Sequence, residues 1–163
     1  MKILAIDPGF ERIGIAVLEK EKGKEYIVYS DCFKTLKSTP FNERLFLIGE
    51  ETRRIISKYK PKILSIETLL FNNNQKTAMM VAEARGVMMY EATRKNLEIY
   101  EYTPLQIKIA VTGYGRATKS QVDVMVRQLV KIEKETKIDD EIDAIAIALT
   151  CSASQNTQTN HRL

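Results

Sequence analysis

The chain has 163 residues, 44% of them hydrophobic and 28% charged, with a formal net charge of +4 and two cysteines. That size and balance give one globular domain with a sizeable core, and they exclude a disordered or multidomain chain. No apolar run approaches the roughly 18 residues of a membrane-spanning helix, and the opening MKILAIDPG has neither the basic prefix nor the cleavage pattern of a signal peptide, so a soluble, cytoplasmic protein with no membrane partner is expected.

The apolar run KILAID ends at Asp7-Pro8-Gly9, the pattern of a buried strand stopped by a turn. RIGIAVL from Arg12 and the stretch from Lys24 to Phe33 read as two more strands, joined by a loop over Glu19 to Gly23. Thr39-Pro40 suits the N-cap and first position of an amphipathic helix whose stripe includes Phe41, Leu45, Ile48, Thr52 and Ile55. Pro61 ends that helix, and KILSI leads to a second strand-terminal acid, Glu67.

Gln75 to Lys95 reads as a helix apolar around most of its circumference, which either crosses the sheet inside the core or supplies a dimer surface where Gly86 permits close approach. Leu97 to Tyr102 makes a fifth strand, and Pro104 to Val111 a short helix. Thr118-Lys119-Ser120-Gln121 has the capping-box form that starts another helix, and a last one begins near Asp139. The expected domain covers 1–152, followed by a poorly ordered polar tail over 153–163. The element order predicts an α/β fold, a five-stranded mixed sheet flanked by helices. Cys32 and Cys151 read as buried free thiols.

Lys108, Arg116, Lys119, Arg127 and Lys131 face Asp123 alone between Pro104 and Lys131, so this one stretch holds the whole net charge. It is either a solvated surface or a face for a polyanion.

Asp7 and Glu67 end strands expected to be central parallel neighbours, which places the two carboxylates side by side. Asp140 and Asp143 are three apart on one helical face, with Asp139 and Glu141 turned away. Four crowded carboxylates repel and call for cations, and oxygen ligands without Cys or His favour Mg²⁺ or Mn²⁺ over zinc. Two ions about 4 Å apart would make the cluster a phosphodiester hydrolase without a side-chain nucleophile. Singly, each acid has an ordinary alternative: Asp before Pro-Gly forms turns, and acids cap helices.

Four blocks, ILAIDPG with RIGIAV, ILSIE, AEARGV (Ala82 to Val87) and DEIDAIAIAL (Asp140 to Leu149), resemble the RuvC family of Holliday-junction resolvases within the ribonuclease H-like superfamily. The resemblance runs from about Lys2 to Thr150. It implies that Asp7, Glu67, Asp140 and Asp143 are catalytic acids binding Mg²⁺, two ions per site, with Mn²⁺ as a substitute. It also implies a homodimer making paired symmetric nicks across four-way junction DNA in homologous recombination and DNA repair, alongside a branch-migration helicase complex of the RuvA and RuvB type. Lys108 and Lys119 fall at positions resembling DNA-contacting lysines, and a phosphate at Lys119 would also meet the backbone amides of a helix start. Arg116, in the Gly-Tyr-Gly-Arg loop, is a further DNA candidate. In the loop after Glu67, where the family carries aromatics, this chain has Leu70-Phe71; Phe71 would stack on an unpaired base or close the core, and Asn74 matches a polar, backbone-contacting position.

Two competing readings are a ribonuclease H-like nuclease acting on RNA, whose members typically carry Asp-Phe-Gly where this chain has Asp7-Pro8-Gly9, and a non-cutting junction-binding or actin-like module. The chain is short for two actin-like lobes.

Overall fold

A computed structural model describes residues 1–69, 75–132 and 139–159. Its first three strands, β1 (Lys2–Asp7), β2 (Arg12–Glu21) and β3 (Lys24–Lys34), form an antiparallel meander. The β2–β3 turn is tighter than the sequence suggests: β2 runs on to Glu21, and only Lys22 and Gly23 turn the chain, both at positive φ (50° and 81°). A two-residue turn of this kind matches the twist of the flanking strands.

Helix α1 (Phe41–Tyr59) leads to β4 (Ile63–Glu67), and helix α2 (Gln75–Arg94) to β5 (Glu98–Tyr102). The sheet order is β3-β2-β1-β4-β5, with β1, β4 and β5 parallel. Thr39 does not cap α1. Pro40 occupies the cap position without a side-chain hydrogen bond, while the Thr39 carbonyl accepts from Arg44 Nε at 2.9 Å. Lys60, at φ 51°, closes the other end in the left-handed conformation, its amide returning to the Ile56 carbonyl.

Strand alternation divides the core in two. Ile3, Ala5, Ala16, Leu18 and Ile63 point to one face, covered by helices α3 (Pro104–Thr112), α4 (Lys119–Leu129) and α5 (Asp139–Thr159). Leu4, Ile6, Ile15, Val17, Leu64 and Ile66 point to the other, covered by α1 and α2. Each fully buried Ile or Leu here contributes roughly 1.5–3 kcal/mol relative to leaving it exposed.

Helix α2 does not cross the core. It buries a single stripe, Ala84, Met88, Glu91 and Ala92, while Met79 and Tyr90 are each 61% exposed. Glu91 is held from α1 by Arg53, at 3.0 Å, and by Arg94 of its own helix. One face of α2 is thus fixed to α1, and the other points outward.

Helix α5 continues through Thr159, past the boundary expected near 152. Side-chain anchors carry it on: Lys20 Nζ donates to the Ser152 carbonyl at 3.2 Å, and the hydroxyls of Tyr102 and Ser154 meet at 2.5 Å. Cys32 and Cys151 are buried free thiols.

Candidate active site

Ala5 pairs with Ser65 and Ile6 with Ile66, so β1 and β4 finish together and deliver Asp7 and Glu67 to the same sheet edge. Both carboxylates extend on the α5 side, following the alternation set by Ala5 and Ser65. Ser65 Oγ donates to the Ile147 carbonyl at 3.3 Å and fastens α5 across the strands. Close approach at the start of α5 is permitted by Gly14, the register partner of Asp7 on β2. A Cβ there would lie 1.8 Å from the Asp140 carbonyl oxygen.

These placements create one cavity of about 370 Å³ lined by Asp7, Glu67, Asp140 and Asp143, with Lys108 and Lys119 opposite. Asp140 and Asp143, rather than Asp139 and Glu141, face it; Glu141 is 2% exposed and belongs to the buried part of the helix. Lys119, the first residue of α4, reaches Asp143 with Nζ–Oδ2 3.0 Å. Arg12, at the start of β2, pairs with Asp140 from the other side, and Cys32 Sγ lies 3.6 Å from the same carboxylate.

Crowding and burial disturb these acids strongly. Asp7 is pushed up to about 8, first by desolvation and then by the negative charges of Asp143, Glu67 and Asp140, with Lys119 pulling the other way. Glu67 rises to about 7 through desolvation and the Asp143 charge, opposed by Lys119 and Lys108. Asp143 is raised by burial despite its hydrogen bond from Lys119. Among the described residues, no three His, Cys, Asp or Glu side chains stand as a ready ligand set for one ion; the acids line the cavity wall instead. As a donor set they are all oxygen and would carry excess negative charge at alkaline pH, which suits hard divalent cations such as Mg²⁺.

Residues 3–151 match the model of the crossover junction endodeoxyribonuclease RuvC family. The chain belongs to that family. It is 42% identical over 156 residues to the crossover junction endodeoxyribonuclease RuvC of Desulfitobacterium hafniense, covering 96% of this chain and 94% of that protein. It is 45% identical to the Petrotoga mobilis RuvC over 148 residues, 91% of each. The solved structure of T. thermophilus RuvC in complex with Holliday junction substrate superposes with a TM-score of 0.90 at 28% identity, covering 98% of this chain and 97% of that one. The ribonuclease H-like, five-stranded mixed sheet expected from the sequence is the fold of this chain.

The remaining candidates lie away from the cavity or outside the described residues. Arg116 is exposed on the α3–α4 loop and does not line the cavity. Leu70, Phe71 and Asn74 fall outside the described residues. Three residues at the site have no role in the sequence reading. Arg12 and Gly14 show themselves only when α5 is folded back over β2. Arg85, inside the AEARGV block, donates from Nε to the Glu67 carbonyl at 3.1 Å and pairs with Glu101. No helix among the described residues is long and apolar enough to cross a membrane.

Proposed function

We propose that this RuvC-family crossover junction endodeoxyribonuclease resolves Holliday junctions by metal-dependent phosphodiester hydrolysis, with Asp7, Glu67, Asp140 and Asp143 holding two Mg²⁺ or Mn²⁺ ions. The observation that carries this reading is the gathering of four acids from β1, β4 and α5 along one cavity, two of them displaced upward to about 8 and about 7. Bound there, divalent cations would activate a water nucleophile and stabilise the departing 3′ oxygen.

The chain's own residues would bind and orient the DNA strand. Lys108 and Lys119 face the acids across the cavity, so a strand laid between would place a phosphate near the carboxylates and its neighbours near the ammonium groups. Lys119 also opens α4, where Thr118 and Gln121 form a reciprocal capping box. The capping box satisfies the amides of Thr118 and Gln121, which leaves those of Lys119 and Ser120 at the same helix end for an incoming phosphate. The Lys119–Asp143 ion pair is half open to solvent, which lets the lysine move to a phosphate at small cost. Arg116, Leu70, Phe71 and Asn74 remain candidates for contacts beyond the scissile phosphate, Phe71 by stacking on an unpaired base.

Paired nicks need two sites, and the reading includes a homodimer. The outward face of α2 supports it: Met79 and Tyr90 are exposed there, and Gly86 has open space beside it. The T. thermophilus relative is solved with a Holliday junction. A cytoplasmic enzyme working beside a branch-migration helicase of the RuvA and RuvB type completes the proposal.

The test incubates the purified protein with a four-way junction, a linear duplex and an RNA–DNA hybrid, each with Mg²⁺, beside an Asp7→Asn variant. Symmetric nicking of the junction by the wild type alone is the expected result. Preferential cutting of the hybrid, or undiminished cutting by the variant, would sink the assignment.

A further inference from the structure

The AEARGV block contains a basic side chain that the proposed chemistry does not use. Arg85 sits on α2, on the sheet face opposite the acid cavity, and its side chain is 15% exposed. It nevertheless reaches the end of β4. Nε donates to the Glu67 carbonyl at 3.1 Å, and Nη2 pairs with Glu101 of β5.

The hydrogen-bond register explains why that carbonyl needs a donor. Along a strand, adjacent residues direct their amide groups to opposite neighbours. The Thr68 amide bonds to the Tyr102 carbonyl on β5, so the Glu67 amide and carbonyl face β1. Continuing the β1–β4 register past Ile6–Ile66 sets Glu67 against Asp7, and the next donor for the Glu67 carbonyl would be residue 8. Residue 8 is proline, which has no N–H. A polar group at a partly buried strand end with its ladder partner missing is costly unless another donor arrives.

We infer that Arg85 is a positioning residue for Glu67: it supplies from α2 the donor that Pro8 denies to the end of β4, and so fixes the direction of the Glu67 carboxylate. Glu101 holds the far side of the guanidinium and fixes where Nε points. A planar fork with several donors can bridge the carbonyl and the carboxylate together, whereas a lysine ammonium is a single point charge. The inference rests on the proposed role of Glu67 as a metal ligand. Groups that orient ligands in this way characteristically change affinity or rate 10–100-fold when removed.

The experiment compares Arg85→Ala, Arg85→Lys and Glu101→Gln with wild type and with Glu67→Gln. It measures single-turnover junction cleavage, junction affinity in Ca²⁺, and Mn²⁺ binding to the DNA-free protein by calorimetry. For Arg85→Ala the expected results are a cleavage rate lowered roughly 10–100-fold, Mn²⁺ bound about tenfold more weakly, and unchanged junction affinity. Arg85→Lys should recover part of both losses, and Glu101→Gln should show a smaller deficit of the same kind. Wild-type rate and Mn²⁺ affinity in Arg85→Ala overturn the inference, as does a loss confined to junction affinity, which would make Arg85 a DNA contact. If Arg85→Ala does not fold, Arg85→Lys and Glu101→Gln decide: normal Mn²⁺ affinity in both overturns it. An active Glu67→Gln variant would instead refute the proposed role of Glu67.

Discussion

Gly14 and Asp140 stand so close that a Cβ on Gly14 would lie 1.8 Å from the Asp140 carbonyl oxygen and 3.2 Å from the Asp7 Cβ. The obstacle is backbone, so a side chain at position 14 cannot be accommodated by a rotamer change. Helix α5 would have to lift from β2, carrying Asp140 and Asp143 away from Asp7. Overpacking of a tight core typically costs about 1–3 kcal/mol. Gly14→Ala is therefore expected to lower Tm by a few degrees and to reduce junction cleavage far more than that destabilisation explains. Wild-type cleavage by a folded Gly14→Ala protein would show that the site tolerates displacement of α5.

Asp7 should make the metal-free protein less stable as pH rises. Its folded-state value, about 8, lies above its ordinary value of 3.8, so the native state holds a proton that the unfolded chain has released. The stabilisation from that proton is complete below pH 4 and is lost as pH climbs through about 8. Asp7→Asn keeps the shape and removes the charge. With solvent in the open cavity screening part of the repulsion, the gain at pH 8.5 in EDTA should be about 2 kcal/mol, or roughly 4–8 °C in Tm. At pH 4 the two proteins should melt together. Equal melting at both pH values would mean that the cluster carries no native-state repulsion.

Lys119 serves two roles with separate signatures. As a phosphate contact, its loss in Lys119→Ala should weaken junction binding and flatten the slope of log affinity against log salt by about one. As a cation beside the acids it lowers Asp7 and Glu67, so its removal should move the acid limb of the cleavage profile to higher pH. Stability should change by under about 1 kcal/mol, because the Lys119 end of the Lys119–Asp143 pair is open to solvent and the half-exposed pair is screened. An unchanged salt slope would remove Lys119 from the DNA contacts while leaving its electrostatic role in place.

The sequence reveals the acids more readily than the residues that arrange them. KILAID and KILSIE each show an apolar run closed by a carboxylate, and spacing puts Asp143 on one helical face with an acid three residues before it, but a one-residue shift of the helix start would exchange Asp140 for Asp139, and it is the folded helix that turns Asp140 to the cavity. Gly14 lies in an unremarkable strand, and its importance arises from α5 returning more than a hundred residues later. Pro8 reads as a turn former, yet its missing N–H also matters to a carbonyl on the neighbouring strand. Helix α2 misleads for a related reason: its Met and Val residues fill most of the helical circumference, but the sheet and α1 cover only one stripe. The Thr103–Gln106 capping box that opens α3 was within reach of the pattern that finds Thr118–Gln121, since both have the same spacing.

Protons and divalent cations should compete for the same carboxylates. Metal ligation needs Asp7 and Glu67 ionised, and they rest at about 8 and about 7. At low Mn²⁺ the cleavage rate should climb between roughly pH 6 and 9, following the loss of those protons. Raising Mn²⁺ favours the ionised form and should draw the acid limb to lower pH. If each ion displaces one or two protons, a tenfold rise in Mn²⁺ moves the midpoint down by about one or half a pH unit, respectively. Calorimetry of Mn²⁺ binding in two buffers of different ionisation enthalpy counts the released protons independently. A midpoint that stays fixed over a hundredfold range of Mn²⁺, with no proton release, would place the metal away from Asp7 and Glu67.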